Sequence, residues 1–270
     1  MMPQELGRLF SDGSRSWVLD ADLPPGRLIV PSGDDAPTGR PAYWLSDDPI
    51  DADLFERLRL AHARSGLWPV LADAMRGDPQ LPWEAGAVSP QPVTRIDGLD
   101  ADAVLAGLWA DWIGDGEPGR EHAELRPYGR AWPGLAPAAG GEPDPDVFAG
   151  RYVRDHDDGA SRAMLVPAAR SADVVTAIGW QGPLNHTEDM ALLSAVLRSW
   201  ETRFGARLIE LGFDTLVLAV AAPPVTDEHA ASVAAEHFAF CPDNIVQGAG
   251  TIAAYAAGLR GQHMWLFWWD

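Results

Sequence analysis

The end of the chain, His263 to Asp270, constrains the fold more than any other stretch. In an extended strand, alternate side chains point to opposite faces. Met264, Leu266 and Trp268 therefore share one side and Trp265, Phe267 and Trp269 the other, and all six are apolar. A strand apolar on both sides reads as covered on both, so this segment is expected to be an interior strand of a sheet packed against helices. The chain has 12 Trp, three of them here, and such a cluster is either core or an interface anchor. Two apolar faces favour core.

The residues leading to that strand are regular and predict a β-α-α-β-β-α-α-β unit. Arg162 to Val166 reads as a strand, and Ala172 to Gly179 as a short helix. From about Thr187 to Phe204, Met190, Leu193, Val196, Leu197, Trp200 and Phe204 follow helical spacing, and Gly205 stands where a C-cap belongs. Strands at Arg207 to Leu211 and Thr215 to Ala221 flank Gly212-Phe213-Asp214, a hairpin turn that makes them an antiparallel pair. Helices follow from Thr226 to Phe238 and from Thr251 to Leu259.

Before this unit the signals are sparser. Short strands are expected at Arg27 to Val30 and Ala42 to Leu45, and helices at Ala52 to Ser65, with Asp51 as N-cap, and Ala101 to Ile113, capped by Asp100. Periodicity then disappears from Asp115 to Pro145, where six prolines alternate with glycines and acids. The expected organisation is a mixed N-terminal region over 1–114, a Pro/Gly-rich linker or covering loop over 115–147 and a C-terminal domain over 148–270. The fold class is α+β, with a mixed or antiparallel sheet packed against helices in the C-terminal domain and a smaller mixed N-terminal part.

Charge narrows the function. The 20 basic residues are all Arg and face 39 acids, a net charge of −19. Divided after Gly150, the chain has 12 Arg against 25 acids (−13) and then 8 against 14 (−6), so neither part is basic. Phosphate backbones and anionic membranes call for clustered positive charge, so nucleic acid and membrane are not expected partners. The same field favours a basic protein, although solubility alone also accounts for it. A single cysteine, Cys241, permits no internal disulfide and suits a reducing compartment. No apolar leader follows Met1, and the longest apolar run, Leu216 to Val225, is too short to span a bilayer, so a cytoplasmic protein is expected.

Three constellations could carry chemistry. Glu236, His237, Cys241, Asp243 and Asn244 bring base, nucleophile and carboxylate types within nine residues, and Cys and His four apart on a helix are neighbours. Against this, Pro242 should end the helix and leave Cys241 at its negative end, where a thiolate is disfavoured. A core cysteine beside a satisfied histidine is the simpler reading. Asn185 with Glu188 has the form of a capping box, with a pocket lined by Trp180, Asn185 and His186 as the functional alternative. Asp155 to Asp158 lacks the glycine and terminal Glu of a calcium loop and reads as a solvated turn. The seven His show no paired zinc spacing, and no cofactor or metal is expected. Asp270, carrying a carboxylate beside the terminal rings, is a candidate to bind Arg, either within the protein or on a partner, with Trp269 and Asn244 as further binding candidates.

Trp200, Phe204-Gly205-Ala206, Pro223-Pro224, the run Glu236-His-Phe-Ala-Phe-Cys-Pro-Asp-Asn244 and the terminal Trp265-Leu-Phe-Trp-Trp-Asp270 together resemble the C-terminal domain of an uncharacterised bacterial family, a domain of unknown function of actinobacterial type. The resemblance covers Arg162 to Asp270 and implies a domain boundary, with no activity or catalytic residue to carry over. The leading expectation is a non-enzymatic acidic interaction module, immunity- or inhibitor-like, for a basic partner. The alternative is a hydrolase or small-molecule-binding enzyme using His237, Cys241 and Asp243, or the Asn185/His186 loop.

Overall fold

Among the described residues, seven strands form one mixed sheet. In chain order they are β1 (Gly26–Ile29), β2 (Tyr43–Pro49), β3 (Leu67–Ala72), β4 (Arg162–Pro167), β5 (Ala206–Leu211), β6 (Thr215–Val220) and β7 (Met264–Trp268), and across the sheet they run β1-β2-β4-β3-β5-β6-β7. β3 and β5 pair in parallel and the other neighbours are antiparallel. β4 follows the Pro/Gly-rich stretch in sequence, yet it lies between β2 and β3, which precede that stretch. Both parts of the chain thus contribute to one sheet. The computed structural model describes residues 6–10, 19, 21–32, 39–72, 86–114, 122–140, 144–156 and 159–270. The first five residues of the chain start, residues 115–121 and 141–143 of the Pro/Gly-rich stretch, and Asp157 and Asp158 of the acidic tetrad lie outside them.

Helices cover both faces. α1 (Ala52–Ser65) and α3 (Pro145–His156) place Leu54, Phe55, Leu58, Ala149 and Val153 against Trp44, Leu71, Leu165, Ile209 and Val217. On the other face lie α2 (Ala101–Gly114), α4 (Val174–Ile178), α5 (Met190–Phe204), α6 (Asp227–Phe240) and α7 (Ile252–Leu259), over Val70, Met164, Leu208, Leu218, Trp265 and Phe267. The alternation within β6 follows from this: Leu216 and Leu218 pack in one layer, Val217 and Ala219 in the other. Side-chain caps explain where the helices begin. Asp51 accepts from Leu54 N, Thr226 from His229 N and Thr251 from Ala254 N, each satisfying an N–H that the helix cannot. Among the described residues, no helix is long and apolar enough to cross a membrane.

The structure corrects the expectation for the last strand. Among the described residues, β7 is an edge strand, paired with β6 alone, and only one of its faces is covered. Trp265, Phe267 and Trp269 are buried, whereas Met264 and Leu266 are each 44% exposed. The reason lies in α3, which packs chiefly over β5 and β6 and meets the start of β7 through Phe148, whose ring centroid lies 5.0 Å from that of His263. A second correction concerns α5. It begins at Met190, with the Asp189 carboxylate accepting from Ala191 N, so Asn185 and Glu188 form no capping box.

Two elements were not anticipated. α3 starts inside the Pro-rich stretch, at Pro145, a favoured first helical position. β3 is buried along its whole length despite Pro69, whose missing N–H is tolerated because pairing with β5 is confined to Leu71 and Ala72. Residues 122–140 lie as a strap across α2, α5 and α6. Along it, Trp132 packs on Trp109 and donates to Asp102, and Ala136 is buried.

Candidate functional site

The π-helical turn Asn244–Ala249, the loop 181–189 and the end of β7 meet at one corner of the sheet. Pro242 follows α6 and directs the chain into that turn. The loop is shaped around Trp180, which is buried and donates from Nε1 to Gly212 O at 3.0 Å. Its ring lies against the backbone of residue 182, where any Cβ would meet ring carbons at 2.0 Å, so Gly182 is required for the close approach.

Most of the binding candidates read from the sequence converge here. Trp180 stands edge-on to Trp269 with centroids 5.4 Å apart. Asn185 Nδ2 donates to Asp270 O at 2.9 Å. The Asp243 carboxylate is the hub: Oδ2 lies 2.8 Å from His186 Nε2 and accepts from Asp270 N at 3.1 Å, while Oδ1 accepts from Gln247 Nε2 at 3.1 Å. Gln247 also donates to Asp270 Oδ2 at 3.3 Å. Sequence reading missed Gln247, although its position four residues after Asp243 is a spacing at which Gln and Asp side chains meet on a helix. Asp243 holds His186 as a general base would be held, but among the described residues no hydroxyl or thiol is hydrogen-bonded to that imidazole. The cluster ties a loop, a turn and the terminal segment together.

Asn244 acts on the backbone. Its Nδ2 donates to Leu266 O at 2.6 Å and its Oδ1 accepts from Trp268 N at 2.9 Å. These main-chain groups face away from β6, so the side-chain amide stands in for a next strand at the sheet edge. Cys241 Sγ completes the cover by donating to Trp268 O at 3.0 Å.

His237 and Cys241 share a helix but not a reaction. His237 is fully buried, with Nδ1 3.1 Å from the Tyr255 hydroxyl and Nε2 without a polar partner, among Trp200, Trp265 and Phe267. Burial first, and then the nearby Arg203 cation, push its pKa down to about 3, which keeps it neutral. Burial likewise pushes the Cys241 thiol up to about 12 and the Tyr255 hydroxyl to about 12. The carboxylate of the same motif, Glu236, is turned inward to Arg203, Trp200 and the Ala136 amide. Nucleophile, base and carboxylate therefore point to different partners, and neither His237 nor Cys241 reaches solvent. A catalytic set of His237, Cys241 and Asp243 lacks both mutual contact and access.

Clefts lie away from His237 and Cys241, one of them against the corner loop. One of about 400 Å³ is lined by Arg40, Pro41, Pro90, Pro92 and Val93, and one of about 360 Å³ by Trp180, Gln181, Leu184, Glu188 and Gln91. A third, of about 320 Å³, contains Arg170 and Arg207, which are paired with Glu201 and Asp146. Among the described residues, no group of three or more His, Cys, Asp or Glu is arranged to hold a metal ion.

Residues 162–270 match the family model described as "Domain of unknown function (DUF4253)". This segment begins at β4 and includes the whole corner cluster. No curated protein and no solved structure matches the chain.

Proposed function

We propose that the protein is an acidic interaction module that binds a basic protein partner. The observation that carries this reading is the fate of its positive charge. Arg27, Arg59, Arg95, Arg154, Arg170, Arg198, Arg203, Arg207 and Arg260 each pair with a carboxylate of the same chain. Meanwhile Asp53, Asp97 and Asp227 remain 78%, 65% and 80% exposed even when paired, and Asp47, Asp100, Asp111, Asp155 and Glu228 are exposed as well. These nine of the 20 Arg are offset by carboxylates of the same chain, and the excess of 39 acids over 20 Arg leaves the chain strongly negative. Such a field speeds encounter with a positively charged partner and repels anionic polymers. A cytoplasmic setting belongs to the same reading, and Cys241 as a buried free thiol is compatible with it.

The test is affinity capture from a native lysate with the full chain as bait, eluted by a salt gradient. A recovered partner with net positive charge, released as ionic strength rises, is expected. Recovery of no basic protein, or retention indifferent to salt, refutes the reading.

A further inference from the structure

We infer that the uncovered face of β7, centred on Met264 and Leu266, is where a basic amphipathic polypeptide docks; this rests on the interaction reading above and assigns it a surface. Both side chains are 44% exposed and adjacent on one face of the outermost strand, while Val217 and Ala219, their cross-strand neighbours, are buried in the same layer. The apolar face is thus continuous with the core and ends in the open.

Two carboxylates lie on this side. Glu210 pairs in register with Val217, which pairs with Leu266, so all three lie in one row on this face. Asp214 Oδ2 accepts from Trp268 Nε1 at 3.1 Å at one end of the strand. An apolar centre with these two carboxylates beside it, on a chain of strongly negative net charge, complements apolar side chains flanked by Lys or Arg.

The occupant does not add as a strand. Leu266 O, Trp268 N and Trp268 O are already taken by Asn244 and Cys241, so the edge is closed over its second half and the face beside it stays open. A second copy of this chain would bring another −19 against the same negative charge, which disfavours self-association.

Two fluorescent probes test this with the full chain at physiological salt: an amphipathic Leu/Lys peptide and an oligo-arginine peptide of equal charge. Leu266→Asp is expected to weaken the Leu/Lys peptide at least about tenfold, as loss of an interface centre does, and to leave oligo-arginine binding unchanged. Leu60→Asp, at a 64% exposed leucine on α1, is the control for added charge and is expected to change neither. Near-ultraviolet circular dichroism checks the fold, and Leu266→Ser, with a smaller expected loss of several-fold, serves if the aspartate unfolds the chain. Equal effects of Leu266→Asp and Leu60→Asp, or none from Leu266→Asp or Leu266→Ser, overturn the surface and leave the interaction reading standing. Failure of the wild type to bind either probe overturns the interaction reading itself. A dimer that Leu266→Asp dissolves in sedimentation assigns the face to a second copy and also overturns the proposal.

Discussion

Replacing Glu236 by Gln should destabilise the fold severely while barely changing the shape of the side chain. Glu236 is fully buried and accepts four hydrogen bonds: Oε1 from Ala136 N at 2.6 Å and Arg203 Nη1 at 2.7 Å, Oε2 from Trp200 Nε1 at 2.7 Å and Arg203 Nη2 at 2.6 Å. Every partner is a donor. A glutamine offers one oxygen, so whichever way its amide turns, its NH2 group faces two donors and the Arg203 guanidinium, 12% exposed, loses its counter-charge. Removing one member of a buried pair costs about 3–5 kcal/mol. For a chain of this size that corresponds to a fall in Tm of about 10 °C. The assay is urea unfolding followed by tryptophan fluorescence, run on Glu236→Gln, Arg203→Met and the double variant. Without the guanidinium the amide has only two donors to meet, so the double variant should be no less stable than Glu236→Gln alone. A loss under about 1 kcal/mol for Glu236→Gln, or strictly additive losses, would mean that the four short contacts do not hold this site together.

Asn244→Asp keeps the acceptor for Trp268 N but places an oxygen against Leu266 O. It should lose about 1–3 kcal/mol in urea unfolding and, with the edge of β7 opened, gain concentration-dependent light scattering; unchanged stability and scattering would show that the amide does not guard the edge. His237 supplies a pH test. Its folded pKa, about 3, lies below the unfolded value near 6.5, so the unfolded chain binds the extra proton between these values. Stability from this residue is complete above pH about 6.5 and falls by up to about 1.4 kcal/mol per unit as the pH drops towards 3. His237→Phe should flatten that part of the stability–pH curve, and an identical curve would refute the assignment.

The local parts of the structure were legible because their causes are local. Asp51, Thr226 and Thr251 cap the helices that their spacing announces, and Gly212 to Asp214 turns an antiparallel pair, since each of these outcomes depends on a few neighbouring residues. The position of β4 between β2 and β3 has no such local signature. Strand order is decided by which apolar faces find one another after the chain has closed loops of many residues. Pro69 hid β3 for a related reason: a proline is excluded from a central strand only where a ladder N–H is needed, and that need depends on how far β5 pairs.

The same distinction governs the corner beside β7. Trp180, Asn185, His186, Asp243 and Asp270 were selected for their chemical types and do meet there, but types cannot reveal direction. Asn244, a binding candidate by sequence, holds the main chain of its own sheet edge. The two apolar sides of the last strand were equally ambiguous. They fit an interior strand, and they fit an edge strand whose outward face ends beyond its covering helix. The choice between these was made by where α3, more than a hundred residues earlier in the chain, stops covering the sheet. Leu266 therefore stays half exposed because of a distant helix boundary, while the edge next to it is closed by the neighbouring Asn244. An apolar face left open beside a sealed hydrogen-bonding edge favours docking by side chains over pairing by backbone.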